Sequence, residues 1–457
     1  MTTEQLTLAH LERCFGGAVP AVLATASADG MPNVTYISRA HQVDGERIAL
    51  SNQFMSKTAR NLAANPRATL LLLDPQTYDE FRLTLVYERT ERRGHVFERL
   101  RTDVDLLAQL EGMQDVYRLR AADVFRVVDI AQIPPNPAAR VPDDVIGPRT
   151  VDDVGALGAL AATLARAGDL DVLVGTALEG LDRHLGYRHT NLMLVDEDGR
   201  RLYTIASRGF DTEGIGSEVA VGEGHIGIAA ERCETIRIGG LQQAAKYSRS
   251  IRRSYEDVGV GPGGDVPLPG VEGVESRIVV PLMALGQLVG VLVAESRQRA
   301  AFTTADEQLL GTVATMLASS IEAIRALDNH ADPAPAPSRT VPPTPTAAAA
   351  AGAAVAVRYF DVDGSVFVAG DYLIKGVAGR IMWALLRAHV AAGRTEFTNR
   401  ELRLDPTLDL PGIKDNLESR LILLKRRLDE RAAPVRIEKT GRGRFRLLVD
   451  RPVELTA

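Results

Sequence analysis

Polar and apolar positions alternate with a period of two through much of the first 130 residues. AVLATASADGMPNVTYISRA reads as strand, turn, strand, with the Asp29-Gly30 dipeptide set between two β-rich runs. HQVDGERIALS repeats the pattern around Asp44-Gly45. A helical stretch over 56–64 follows, and then RATLLLLD, FRLTLVYERTERRGHV and DVFRVVDI alternate again. Short, evenly spaced strands with little helix predict a small β-barrel.

Beyond residue 151 the period changes. LDVLVGTALEGLDRHLG has helical spacing, TNLMLVDEDGRRLYTIASRG and SRIVVPLMALGQLVGVLVAES read as hairpins, and TADEQLLGTVATMLASSIEAIRAL is a long amphipathic helix. Thr304 is placed to cap that last helix, with Asp306 and Glu307 in its first turn. Helix, antiparallel strands and helix make an α+β layout. From Val357 onward, the short strands VRYFDV and GSVFVA precede three helical stretches and a final hairpin, VRIEKTGRGRFRLLV. Over 415–428, Leu417, Leu421, Leu424 and Leu428 fall on one helix face, while Ile422 and Leu423 are expected outside that stripe. Helices followed by a glycine-turned, arginine-rich hairpin describe a winged helix.

Proline-rich joints divide these patterns. HADPAPAPSRTVPPTPTAAAAAGAAVA has little to bury and reads as an extended linker, and prolines over 132–150 break any regular element. The expected units are 1–132, 151–327, a linker at 328–356, and 357–453. Charge follows the same division. Residues 357–457 carry 19 Lys+Arg against 14 Asp+Glu, net +5, and the remainder carries 34 against 45, net −11. A basic end on an acidic body is the asymmetry of an attached nucleic-acid-binding module. Two cysteines, Cys14 and Cys233, make neither a disulfide framework nor a metal site. With no signal-peptide pattern and no apolar run near the ~20 residues that span a bilayer, a soluble, cytoplasmic protein is expected.

The densest chemistry lies in SNQFMSKTARNLAANP, residues 51–66. Ser51 and Asn52 end a strand, and Ser56, Lys57 and Thr58 open a helix. The free amides and positive dipole end of a helix favour an anion there, and lysine adds a full charge. With LATASADGMPNVTYIS and LRAADVFRVVDI, this stretch resembles the FMN-binding split barrel of the pyridoxamine-phosphate-oxidase-like superfamily. The resemblance implies a flavin phosphate held by Ser51, Asn52, Ser56, Lys57 and Thr58, with Arg39 as a further cation. The sequence departs from the oxidase proper: Ser56-Lys57 stands where the family has Arg-Lys, and the substrate-gripping residues are not recognisable.

VGEGHIGIAAERCETIRI, SRIVVPLMALGQLVGVLVAES and FTTADEQLLGTVATMLASSIE together resemble a GAF domain. That implies a small-molecule ligand, with His225 and Cys233 as residues that could touch it. GRIMWALLRAHVAAGRTEFTNRELRLDP and KDNLESRLILLKRRLDERAAPVRIEKTGRGRFRLLV resemble the winged-helix effector domain of response-regulator-type transcription factors. DNA contacts then fall to Arg420, Arg426 and Arg427 on the helix, and to Lys439, Arg442 and Arg444 on the hairpin. The apolar positions Phe302, Leu309, Leu310, Val313, Leu317 and Ile321 offer a stripe for pairing with a second copy. The expected function is a redox- or ligand-sensing transcriptional regulator, acting as a homodimer. The alternative is an FMN-dependent oxidoreductase with regulatory domains, because a flavin ring needs few catalytic side chains.

Overall fold

The computed structural model describes residues 6–16, 19–53, 56–110, 118–134, 153–241, 266–330, 354–408, 410 and 417–457. Most of the 132–150 joint, the glycine-rich stretch after Leu241 and nearly all of the 328–356 linker lie outside them.

The first unit opens with a 3-10 helix, Leu8–Phe15. Strands β1 (Ala21–Ala26), β2 (Pro32–Ile37), β3 (Ala40–Gln42), β4 (Arg47–Asn52), β5 (Arg67–Leu73), β6 (Glu80–Glu91) and β7 (Ala121–Gln132) form one antiparallel sheet. Its order is β2-β1-β5-β6-β7-β4-β3, curled as a half-barrel around Leu23, Ile37, Leu50, Leu70, Leu83 and Phe125. Both expected hairpins form, and α1 (Ser56–Ala64) follows β4 as the pattern requires.

One element departs from the expected strand-rich pattern. The run FRLTLVYERTERRGHV does not stay extended to its end. β6 stops at Glu91, Gly94 turns the chain at φ +99°, and α2 runs from His95 to Leu110. Phe97 and Leu100 of α2 cover the outer face of the sheet at Ala49, Ala122 and Val124. Leu106, farther along, packs with Ile226 and Ile228 of the middle unit.

The middle unit has α3 (Asp153–Leu164), α4 (Leu170–Leu185), β8 (His189–Val195), β9 (Arg201–Arg208), β10 (Glu218–Ala220), α5 (Gly224–Arg232), β11 (Ile236–Gly239), β12 (Ser276–Ala284), β13 (Gln287–Ser296) and α6 (Thr304–His330). Its six strands run in the order β10-β9-β8-β13-β12-β11. The β12–β13 hairpin turns at Leu285 and Gly286, both at positive φ (+50° and +75°). A two-residue hairpin turn of type I′ demands that geometry at both central positions, and Leu285 meets it while 98% exposed.

Two expectations about α6 are corrected. Its cap is Thr303, not Thr304: the Asp306 carboxylate accepts from the Thr303 amide at 2.8 Å and from its hydroxyl at 2.7 Å. Its apolar stripe is not free for a second copy. Phe302, Leu309, Leu310, Val313, Leu317 and Ile321 are all buried in the core beneath the sheet. Although α6 is long and apolar enough to span a bilayer, this stripe is spent on its own domain.

The last unit begins with β14 (Val355–Phe360), β15 (Ser365–Val368) and β16 (Asp371–Ile374), joined by β20 (Val453–Thr456) running parallel to β14. Then come α7 (Gly376–Ala392), β17 (Glu396–Thr398), α8 (Asn399–Leu404), α9 (Leu417–Glu430) and the hairpin β18 (Val435–Gly441) to β19 (Arg444–Val449). Leu417, Leu421, Leu424 and Leu428 of α9 are buried, as their spacing predicts. Ile422 and Leu423 were expected to stand outside that stripe, yet they are only 4% and 3% exposed. The apolar core of the middle unit continues without a break into this one, from Leu160 through to Leu447, and that continuity closes over both residues.

Candidate functional site

At the end of the barrel sheet the six candidate anion ligands separate into groups. Successive strand residues face opposite sides of a sheet, so Ser51 and Asn52 diverge. The Ser51 hydroxyl lies 3.1 Å from that of Ser38 and accepts from the Arg39 amide at 3.1 Å. Gln53 Nε2 completes this cluster with a 2.8 Å bond to Ser38 Oγ. On the other side, Asn52 Nδ2 donates to Asp123 at 2.8 Å. Thr58 is buried and accepts from Asn33 Nδ2 at 3.1 Å, while Ser56 and Lys57 stand exposed at the start of α1. Arg39 is buried, and its side chain lines a cleft between barrel and middle unit together with His41, Arg99, Asp103 and Arg237. Ser56 and Lys57 thus stand open to solvent, Ser51 and Thr58 are engaged in internal hydrogen bonds, Asn52 binds Asp123, and Arg39 lines the cleft.

The second constellation lies on the α5 side of the middle sheet. Helix α5 sits flush against β10, where a Cβ at Gly227 would lie 2.1 Å from the Ala220 carbonyl oxygen. This close approach buries His225. Its Nδ1 is 3.3 Å from Arg277 Nη1, while its Nε2 has no partner among the described residues. Burial, then the charges of Arg277 and Arg39, push the imidazole down to about 3, so it is neutral at physiological pH. Arg277 is anchored in turn by Glu295, with Nε to Oε1 at 2.8 Å. Asn191 Oδ1 is also buried without a partner, next to Thr204 and Ser217, whose hydroxyls lie 2.8 Å apart. Buried polar atoms with unmet hydrogen bonds are rare in folded proteins, and two of them share this face. Cys233, by contrast, is the left-handed C-cap of α5, and burial and Glu234 push its thiol up, away from the reactive thiolate.

The third constellation joins α9 to the middle unit. Arg420 makes a fork onto Glu197, at 2.9 Å from Nε and 2.5 Å from Nη2, and its guanidinium lies 4.2 Å from the ring centroid of Tyr203. Arg426 Nε donates to Asp171 at 2.8 Å, and Lys425 reaches the same carboxylate at 3.2 Å. Lys439 bridges Asp169 and Glu418 at 3.4 and 3.0 Å. Burial raises the carboxyls of Glu197 and Asp171, but their cationic partners outweigh it and hold both below the ordinary range. Arg427 is turned inward, donating to the Leu373 carbonyl at 2.9 Å and pairing with Glu430. Arg420, Arg426, Arg427 and Lys439, all expected to touch DNA, are therefore engaged within the chain. Arg442 and Arg444, at the tip of the hairpin, are exposed. The sequence carried no sign of Glu197, Asp171 or Asp169 as partners, because more than 220 residues separate Arg420 and Arg426 from their carboxylates.

Among the described residues no group of three His, Cys, Asp or Glu is placed to hold a metal ion. Residues 9–130 match the family model described as pyridoxamine 5'-phosphate oxidase, and residues 169–321 match the GAF domain model. No curated protein sequence matches the chain. Similar solved structures include the GAF domain of an Acinetobacter phosphoenolpyruvate-protein phosphotransferase, 22% identical, covering 38% of this chain and 95% of that one with a TM-score of 0.31. A free methionine-R-sulfoxide reductase from Neisseria meningitidis, in complex with its substrate, is 24% identical over 38% of this chain and 90% of that one, TM-score 0.30. An FMN-binding protein from Syntrophomonas wolfei is 18% identical over 28% of this chain and 87% of that one, TM-score 0.24. The chain thus joins a pyridoxamine-phosphate-oxidase-like split-barrel domain to a GAF domain, with a basic three-helix unit behind them.

Proposed function

We propose that the protein is a ligand-responsive transcriptional regulator whose basic C-terminal unit is a winged helix held closed by the GAF domain. The observation that carries this reading is the grip on α9: Arg420, Lys425 and Arg426 face acids of the GAF domain, and Leu423 packs near Gly216. A helix whose role is to lie in a DNA groove needs its cations free, so the closed state cannot use Arg420 or Arg426 for duplex. A signal that separates α9 from the GAF surface frees them to act beside Arg442 and Arg444. On the sensor side, the buried polar face around His225 and Asn191 takes a small molecule that supplies their missing hydrogen bonds.

In the barrel, Ser56 and Lys57 at the start of α1 would hold a flavin phosphate. A bound flavin supplies redox-sensitive colour, and the chain supplies the anchor for its phosphate. The second copy required for tight DNA binding would use the outer face of β2, where Val34 and Tyr36 are 66% and 79% exposed.

The test compares duplex affinity, by fluorescence anisotropy at low salt, for the wild type and for Glu197→Gln/Asp171→Asn. DNA from upstream of the protein's own gene is the probe. Unlocking is expected to tighten binding about tenfold, with an affinity that falls as salt rises. Absence of salt-sensitive binding in both proteins would refute the DNA-binding assignment.

A further inference from the structure

The cleft between barrel and GAF domain is a third site, independent of the reading above. Its volume is about 760 Å³, within the roughly 300–1,000 Å³ typical of small-molecule pockets. Three elements of the barrel and two of the GAF domain wall it: the 3-10 helix, the β3–β4 hairpin, α2, β11 and the start of α6.

Its charges come in matched sets. Arg39, Arg99 and Arg237 supply the positive groups and Glu12, Asp103 and Glu307 supply carboxyls beside them, while a fourth lining carboxylate, Asp44, is paired with Arg47 at 3.3 Å. Arg99 forks onto Glu307 with both bonds at 3.0 Å. Arg237 lies 3.4 Å from Glu12, whose carboxylate also accepts from the Thr304 amide at the N-terminus of α6. His41 shares the cleft, and burial together with Arg99 and Arg237 pushes it down to about 4, leaving it neutral. Asp103 is raised by burial and drawn back by Arg39, Arg99 and Arg237.

This balance selects the ligand. An anion taking Arg99 would leave Glu307 as an unmatched charge in a half-buried cleft, and a cation taking Glu307 would strand Arg99. Uncompensated charge away from water is costly, whereas a ligand bearing both signs can enter an ion pair without leaving either half alone. We propose that the cleft binds a small zwitterion, an α-amino acid or short peptide, with its carboxylate on Arg99 and its ammonium on Glu307. Occupancy then replaces direct barrel-to-GAF ion pairs by ligand-bridged ones, so the joint itself reports the ligand.

Thermal unfolding and calorimetric titration of the full chain test this, using the common α-amino acids and Gly-Gly as probes at about 10 mM. At least one zwitterion is expected to raise the midpoint by about 2 °C, while its N-acetyl and amide forms, each of one sign only, do not. Arg99→Gln and Glu307→Gln should each abolish the shift, and Arg183→Gln, a same-charge change on the exposed face of α4, should keep it. Should Arg99→Gln fail to fold, Arg99→Lys keeps the charge without the fork and should weaken binding at least about tenfold. No response to any zwitterion, an equal response to the N-acetyl form, or retention in Arg99→Gln or Arg99→Lys would overturn the assignment. A DNA-binding result of either kind leaves this one unaffected.

Discussion

The GAF domain is gripped on two sides, and the two grips are built differently. Both use arginine forks on carboxylates. On the C-terminal side the forks close over apolar contact: Leu421, Ile422 and Leu423 belong to a core that continues into α4, β9 and α6. On the barrel side the barrel keeps its own core, and among the described residues Leu106 of α2 is the one barrel residue in the buried apolar cluster of the GAF face, beside a polar cleft. The comparison teaches where change is cheap. Ion pairs around an open cleft can be exchanged for ligand contacts, but the α9 joint must expose buried apolar surface to open, at roughly 25 cal/mol per Å². The barrel side suits sensing, and the C-terminal side suits a state that is held until released.

Substitutions separate the two. Arg420→Met removes one partner of a fork whose side chains are only 12% and 13% exposed, leaving Glu197 unpaired. It should cost about 3 kcal/mol in denaturant unfolding, and the double change with Glu197→Leu should recover most of it. If the single change costs nothing, α9 is not gripped as described.

Titration probes the GAF interior. His225 has a folded value of about 3 against an ordinary 6.5, so the unfolded chain binds the extra proton between those limits. Its contribution to stability is present above pH 6.5 and is lost as the pH falls towards 3. Between pH 7 and pH 5 the wild type should lose about 2 kcal/mol more than His225→Gln, measured by denaturant unfolding at each pH. Equal losses would mean that the imidazole is not enclosed.

On the barrel side, Arg99→Gln should cost about 1 kcal/mol, less than Arg420→Met, because its pair with Glu307 is about one-fifth exposed on each side. A cost equal to that of Arg420→Met would erase the contrast between the joints. Smallest of all, Arg183→Ala breaks a helix-surface pair with Glu179 that is 69% and 42% exposed, and its effect should stay below about 0.5 kcal/mol.

Local pattern carried the sequence reading far. Hairpins at Asp29-Gly30 and Asp44-Gly45, the helix after Ser56 and the leucine stripe of α9 all follow from period and turn chemistry. Helix α2 was missed because an alternating strand runs directly into it. The available mark was Gly94 followed by Phe97, Leu100 and Val104 at helical spacing. The candidate sites were less legible. Ser51 and Asn52 are adjacent in sequence but face opposite sides of β4, and Arg39 shows its purpose only once α2 and the GAF domain are placed beside it. Ile422 and Leu423, expected to stand outside the core stripe, are buried instead. The partner of Leu423, the GAF face near Gly216, lies some two hundred residues upstream and leaves no local trace.

Amide hydrogen exchange over α9 tests the central claim most directly. In the wild-type chain, residues 417–430 should exchange slowly on both the leucine-stripe side and the Arg420–Leu423–Arg426 side. In Glu197→Gln/Asp171→Asn, protection on the second side should fall while the barrel strands remain unchanged. Equal protection in the two proteins would contradict a C-terminal unit held shut by the GAF domain.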